Sequence, residues 1–170
     1  MKTLIGASAA ALLLAALAGA QAQAGVLAGP GRFCGYSPII DLLPGEKITT
    51  LEGGIHAGAF RWEGPFGVLH VNGNGLGPEP AGEVVRRRTK TRPARYAQRR
   101  DGRGYVIGIW NGDAGAAHFS SDKPLTKAQI AAIDRVRLFQ EGDEPPENCG
   151  LRTLFSWDFG DLPTAPPERE

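Results

Sequence analysis

The stretch from Val84 to Asn111 constrains this chain most. Its end, Tyr105 to Trp110, is the most strand-like apolar run outside the N-terminal leader, and Asp101-Gly102 just before it is a two-residue turn signal. A hairpin closed on Asp101-Gly102 pairs Arg100 with Arg103, Gln98 with Tyr105, Tyr96 with Ile107 and Ala94 with Ile109. Side chains alternate faces along a strand, so Ala94, Tyr96, Tyr105, Ile107 and Ile109 share a face that can be core. Arg95, Ala97, Arg99, Val106 and Trp110 take the other. A one-residue slip would undo this sorting.

The same stretch holds the chain's charge. Nine basic residues lie between Arg86 and Arg103, while the residues from Glu141 onward are mainly acidic. The chain as a whole is nearly neutral, with 19 basic and 18 acidic residues, so the asymmetry is local. Arginine forks match phosphate, sulfate and carboxylate groups. Arg88, Arg95, Arg99, Arg100 and Arg103, with Tyr96 beside them, are therefore the candidate ligand-binding residues, for an anionic polymer or an envelope component. The bland alternatives are a solvated strand edge, which blocks aggregation, and internal pairing with the acidic C-terminal part.

The N-terminus reads as an export signal. Lys2 supplies the charged start, Leu4 to Leu17 is apolar but short for a membrane span, and Ala22-Gln23-Ala24 is a small-x-small cleavage site. Cleavage after Ala24 is expected, with no transmembrane anchor left behind and a periplasmic or secreted destination. The two cysteines, Cys34 and Cys149, then meet an oxidising compartment and are expected to pair, tying the start of the domain to its end.

Between these points the chain alternates strand and turn signals. Residues 55–72 read as a hairpin turning at Gly64-Pro65, with Phe60, Trp62, Leu69 and Val71 on one face. Lys47 to Glu52 and Ala116 to Ser120 read as further strands. Asn72 to Gly82 is a glycine-rich loop, expected to be mobile. Thr126 to Phe139 reads as the one helix, opened by a Thr126/Gln129 capping box and ended by Gly142. Ile130, Ile133, Val136 and Phe139 form its buried stripe. Leu151 to Phe159 reads as a last strand, and residues 161–170 as a disordered tail. The expectation is a single α+β domain over residues 25–160: an antiparallel sheet of about six or seven strands, curled or barrel-like, with one covering helix near the C-terminus.

No catalytic motif stands out. There is no G-x-S-x-G elbow, no H-E-x-x-H and no P-loop. His56, His70 and His118 lack ligand spacing, so neither metal nor cofactor is expected. A carboxylate pair for glycoside hydrolysis would have to come from Glu52, Glu63, Asp101 or Asp113. The sequence thus leans away from an enzyme and toward an exported binding module. A small hydrolase with its site near the Asn72–Gly82 loop, and a structural or inhibitor-like domain that binds a protein, are the alternatives.

Overall fold

The alternation of apolar and polar residues on either side of Pro65 builds the centre of the fold. In the computed structural model, which describes residues 25–54, 56–112, 115–139 and 146–152, that hairpin is the best-paired part of the chain. The leader, the C-terminal tail, Asp113 and most of the acidic connection lie outside the described residues.

In chain order the strands are β1 (Val26–Ala28), β2 (Gly31–Cys34), β3 (Pro38–Leu42), β4 (Lys47–Gly53), β5 (Ala57–Gly64), β6 (Gly67–Asn74) and β7 (Val84–Arg86). There follow β8 (Ala94–Tyr96), β9 (Arg99–Asp101), β10 (Gly104–Trp110), β11 (Ala116–Ser121), the helix α1 (Lys127–Ile133), β12 (Arg137–Leu138) and β13 (Cys149–Arg152). One sheet runs β1-β4-β5-β6-β11-β10-β8-β7, with β9 continuing the β8 side of β10. Its two ends do not meet, so the expected barrel does not close. A second, smaller sheet runs β12-β3-β2-β13. Pairing is antiparallel throughout except for β2 with β13.

The large sheet turns Phe60, Trp62, Leu69, Val71, Ile107, Ile109 and Phe119 inward. Phe33, Ile40 and Leu42 from the small sheet and Ala132, Ile133 and Val136 from α1 and the turn after it join the same core. The protein is mostly antiparallel sheet in two layers, with one short helix.

Two hairpin registers differ from expectation, with opposite consequences. The β5–β6 turn is Pro65-Phe66, closed by Gly64 opposite Gly67, which takes φ +96°. Partners therefore shift by two residues, which preserves every face, and Phe60, Trp62, Leu69 and Val71 are fully buried together. The β9–β10 turn is Gly102-Arg103, closed by Asp101 opposite Gly104. Gly104 takes φ +125°, and the Asp101 carboxylate accepts the Arg103 N–H at 2.8 Å. Then residues 96–98 span what residues 107–108 span on β10, a bulge that moves the register by one. Arg95 stands opposite Ile109 and Ala94 opposite Trp110. Tyr96 is thereby sent to the outer face, away from Ile107 and Ile109, contrary to the sorting expected above.

The glycine-rich loop is not a loose excursion. It folds back over the outer face, where a Cβ on Gly108 would stand 2.4 Å from Pro80 Cβ. Glu79 accepts the Tyr96 hydroxyl at 2.5 Å, and the Gly75 N–H donates to the His56 carbonyl at 2.8 Å.

The capping box of α1 forms as the sequence requires. The Gln129 N–H donates to Thr126 Oγ1 at 3.2 Å, and the Thr126 N–H donates to Gln129 Oε1 at 2.9 Å. Gln129 also donates to the Val68 carbonyl at 3.0 Å, which fixes the helix to β6. The helix stops at Asp134, well before Gly142. Arg137 and Leu138 instead pair with Ile39 and Pro38, and the Phe139 N–H donates to the Ser37 carbonyl at 2.8 Å. Strand bonds offered by β3 replace further helical ones, while Val136 and Phe139 remain buried as the helical spacing had implied.

Candidate anion-binding cleft

The arginines of the basic stretch go to different places because the bulge and the topology divide them. Arg95 and Arg86 both reach the Asp134 carboxylate, at 3.3 and 2.5 Å. Asp134 caps the C-terminus of α1, where a negative charge meets the negative end of the helix dipole. Two guanidinium groups offset that conflict and clamp the helix to β7 and β8. Arg95 is thus structural and unsuited to a surface ligand. Tyr96 is 2 % exposed, with its hydroxyl committed to Glu79. Burial, then the hydrogen bond to Glu79 and its charge, push that phenol up to about 12.

Arg99, Arg100 and Arg103 lie at the tip of the β9–β10 hairpin. Arg99 is 3.9 Å from Asp101, and the Arg100 guanidinium sits 5.9 Å from the centre of the Tyr105 ring. The tip stands at one end of β10 and Asn111 at the other, about 20 Å away at ~3.3 Å per residue.

At the Asn111 end is a cleft of about 1030 Å³. One wall is the connection from β7 to β8, residues 88–93. It is held in a tight turn, with the Thr89 N–H donating to the Arg92 carbonyl at 2.9 Å and the Arg92 N–H to Thr89 Oγ1 at 3.2 Å. Arg88, at its root, donates to the Asn111 carbonyl. Lys90 and Arg92 project from the turn and are exposed. The opposite wall is the small sheet, with Arg32 on β2 and Arg137 on β12, and Pro146 and Phe139 flanking it. Five cationic side chains surround this cleft, and no carboxylate lines it among the described residues.

Asp41 stands just outside on β3. It accepts from Arg32 Nε at 2.6 Å and Nη2 at 3.4 Å, and from Arg137 at 3.3 Å. The Arg32 bond holds the Asp41 carboxyl below the usual carboxylate range, with Arg137 adding to it and partial burial opposing. The same bond pushes the Arg32 guanidinium up. Arg32 also donates to the Glu147 carbonyl at 3.1 Å.

Of the residues expected to bind a ligand, only Arg88 lines the cleft. Lys90 and Arg92 belonged to the basic run already visible in the sequence. Arg32 and Arg137 were invisible as site residues, because each is an isolated arginine that only the pairing β12-β3-β2 brings to one wall.

The other candidates do not assemble. His70 and His118 share the outer face on neighbouring strands, His70 opposite Ser120 and His118 opposite Asn72, and His56 lies beyond the start of β5. Burial, with Arg99 nearby, lowers the His118 pKa. Among the described residues no three His, Cys, Asp or Glu side chains converge as metal ligands do. Glu63 faces Lys47 and Glu52 faces Ala59, which puts the two carboxylates about 13 Å apart along β5. That exceeds the separation of about 5 to 9.5 Å used in glycoside hydrolysis. Near the glycine-rich loop, Glu52, Asn72 and Asn74 border only a shallow dent of about 300 Å³.

Cys34 and Cys149 form the expected disulfide, their Cα atoms 5.8 Å apart. No family model, curated protein or solved structure matches this chain.

Proposed function

We propose that this protein is an exported, non-enzymatic binding module that holds an anionic ligand in the cleft between residues 88–93 and the small sheet. The observation that carries the reading is the convergence of Arg32, Arg88, Lys90, Arg92 and Arg137 on one concavity with no lining carboxylate among the described residues. The charge comes from three separate stretches of chain, so the cluster is not merely a basic run left in solvent. Export is supported by the leader-like N-terminus and by a disulfide that an oxidising compartment would sustain. Among the described residues no helix is long and apolar enough to cross a membrane.

Retention on a heparin column tests it. The wild-type protein should bind at low salt and elute with a steep salt dependence. Reversing Lys90 and Arg92 together to Glu should remove most of that retention. These side chains make no ion pair among the described residues, so the fold should tolerate the change. Reversing Arg99 and Arg100 at the hairpin tip should have a smaller effect. No retention by the wild type at low salt sinks the reading, and loss only with the tip variant moves the site to the hairpin.

A further inference from the structure

Two cations of the cleft are already in contact with an oxyanion of the protein's own. Arg32 and Arg137 both hold Asp41, which remains 56 % exposed while the two arginine side chains are 31 % and 48 % exposed. Exposed pairs of this kind contribute little to stability and exchange readily. A sulfate or phosphate presents oxygens to a guanidinium fork much as a carboxylate does. The other wall offers Lys90 and Arg92, which have no such internal partner among the described residues. With cations on both walls and a volume of about 1030 Å³, at the upper end of small-molecule sites, the cleft suits a ligand with several charged groups better than one small ion.

The lining also bears on what sort of anion fits. Among the described residues Phe139 is the one aromatic side chain of the lining, and it is 2 % exposed, so none of them displays a ring for a nucleic-acid base to stack upon. Thr89 and Thr91 line the cleft instead and are exposed, and their hydroxyls can bond to sugar hydroxyls. The features point to a ligand read through its oxyanions and hydroxyls rather than its rings.

Building on the proposed cleft, we infer that its ligand is a carbohydrate bearing several sulfate or phosphate groups, and that Asp41 is a placeholder which one of those groups displaces from Arg32 and Arg137. Lys90 and Arg92 make the first contact. The charged group opposite then takes over the two guanidinium forks, and the Asp41 carboxylate swings to solvent.

The test is calorimetric titration with a heparin-derived octasaccharide over a range of salt concentrations, with the desulfated octasaccharide, a phosphorylated oligosaccharide and a single-stranded oligonucleotide of matched charge as comparisons. Asp41→Asn should bind the sulfated octasaccharide roughly fivefold more tightly than wild type, since nothing must be displaced. Asp122→Asn, which removes the same charge at the far end of β11, should stay within about twofold of wild type, because exposed charges beyond a Debye length are screened. Adding Arg137→Gln to Asp41→Asn should reverse most of the gain. As a check independent of any variant, the Asp41 carboxyl pKa followed by carbon-13 NMR in the wild-type protein should rise toward the ordinary carboxylate range on saturation.

Equal affinities for Asp41→Asn and Asp122→Asn, or an Asp41 pKa that ignores the ligand, overturn the placeholder while leaving the cleft reading intact. An oligonucleotide that binds as tightly as the octasaccharide overturns the carbohydrate assignment. The phosphorylated and sulfated arms separate the two sources of charge. No binding by either the wild type or Asp41→Asn overturns both this inference and the cleft itself.

Discussion

Tyr96 carries a phenol that ionises with difficulty. It is buried against the folded-back loop and donates to Glu79, so its pKa stands at about 12 against an ordinary value near 10. A group whose folded pKa is raised contributes stability that is present in full below its unfolded pKa and is lost as pH rises through the folded one. Stability should therefore fall between about pH 10 and 12, with the absorbance change of tyrosinate tracking unfolding rather than preceding it. Tyr96→Phe should flatten that decline, leaving the part due to Tyr36, whose pKa burial also raises. Urea midpoints measured across the alkaline range decide it, and an unchanged slope in the variant rules it out. Tyr96 also shows where residue-level reading ends. Its identity and its arginine neighbours were legible. Its partner was not, because a bulge that no turn residue announces turns Tyr96 to the outer face, where the loop bearing Glu79 folds back.

At the scale of elements, local rules succeeded where all the information lay within one element. The Thr126/Gln129 box starts α1, and the alternation around Pro65 buries Phe60, Trp62, Leu69 and Val71. They failed where an element's limits are set by a distant strand. The helix gives way to β12 because β3 offers a free edge, and the β8 register is moved by an extra residue opposite β10. Loop order was the third failure: glycines that permit mobility also permit close approach, as Gly108 does beneath Pro80. Gly108→Ala should lift the loop from the sheet, with a destabilisation of about 1 to 3 kcal/mol of the kind that overpacking produces. Cleavage in residues 75–83 by a broad-specificity protease should quicken with it. Pro80→Gly in the same chain, which removes the Cβ that would be struck, should restore part of the loss, and if it does not, the contact is not what holds the loop.

For the whole molecule, the cleft depends on how its two walls are held. The wall of residues 88–93 grows from the large sheet and is anchored through Arg88 on Asn111. The other wall hangs on β2, whose outer neighbour β13 pairs with it in parallel and is bonded to it through Cys34–Cys149. A parallel strand of four residues is a weak addition by itself. The disulfide, joining residues 115 apart, supplies the constraint, and the pairing of these two cysteines was legible from their count and setting. The strand's parallel direction was not, since it depends on where the chain re-enters the sheet after α1. Loss of the disulfide in a Cys34→Ser/Cys149→Ser variant should reduce stability by up to roughly 5 kcal/mol in the chain-entropy account, read as a lower urea midpoint. Binding should weaken as well, even where the protein remains folded. Arg32 leans on the Glu147 carbonyl, and Pro146 lines the cleft, so both contacts loosen when β13 is released. Heparin retention of the folded double-serine variant, compared with wild type below the unfolding transition, separates the two effects. Retention equal to wild type would mean that the small sheet holds its wall without the staple, and that Arg32 is positioned by Asp41 alone.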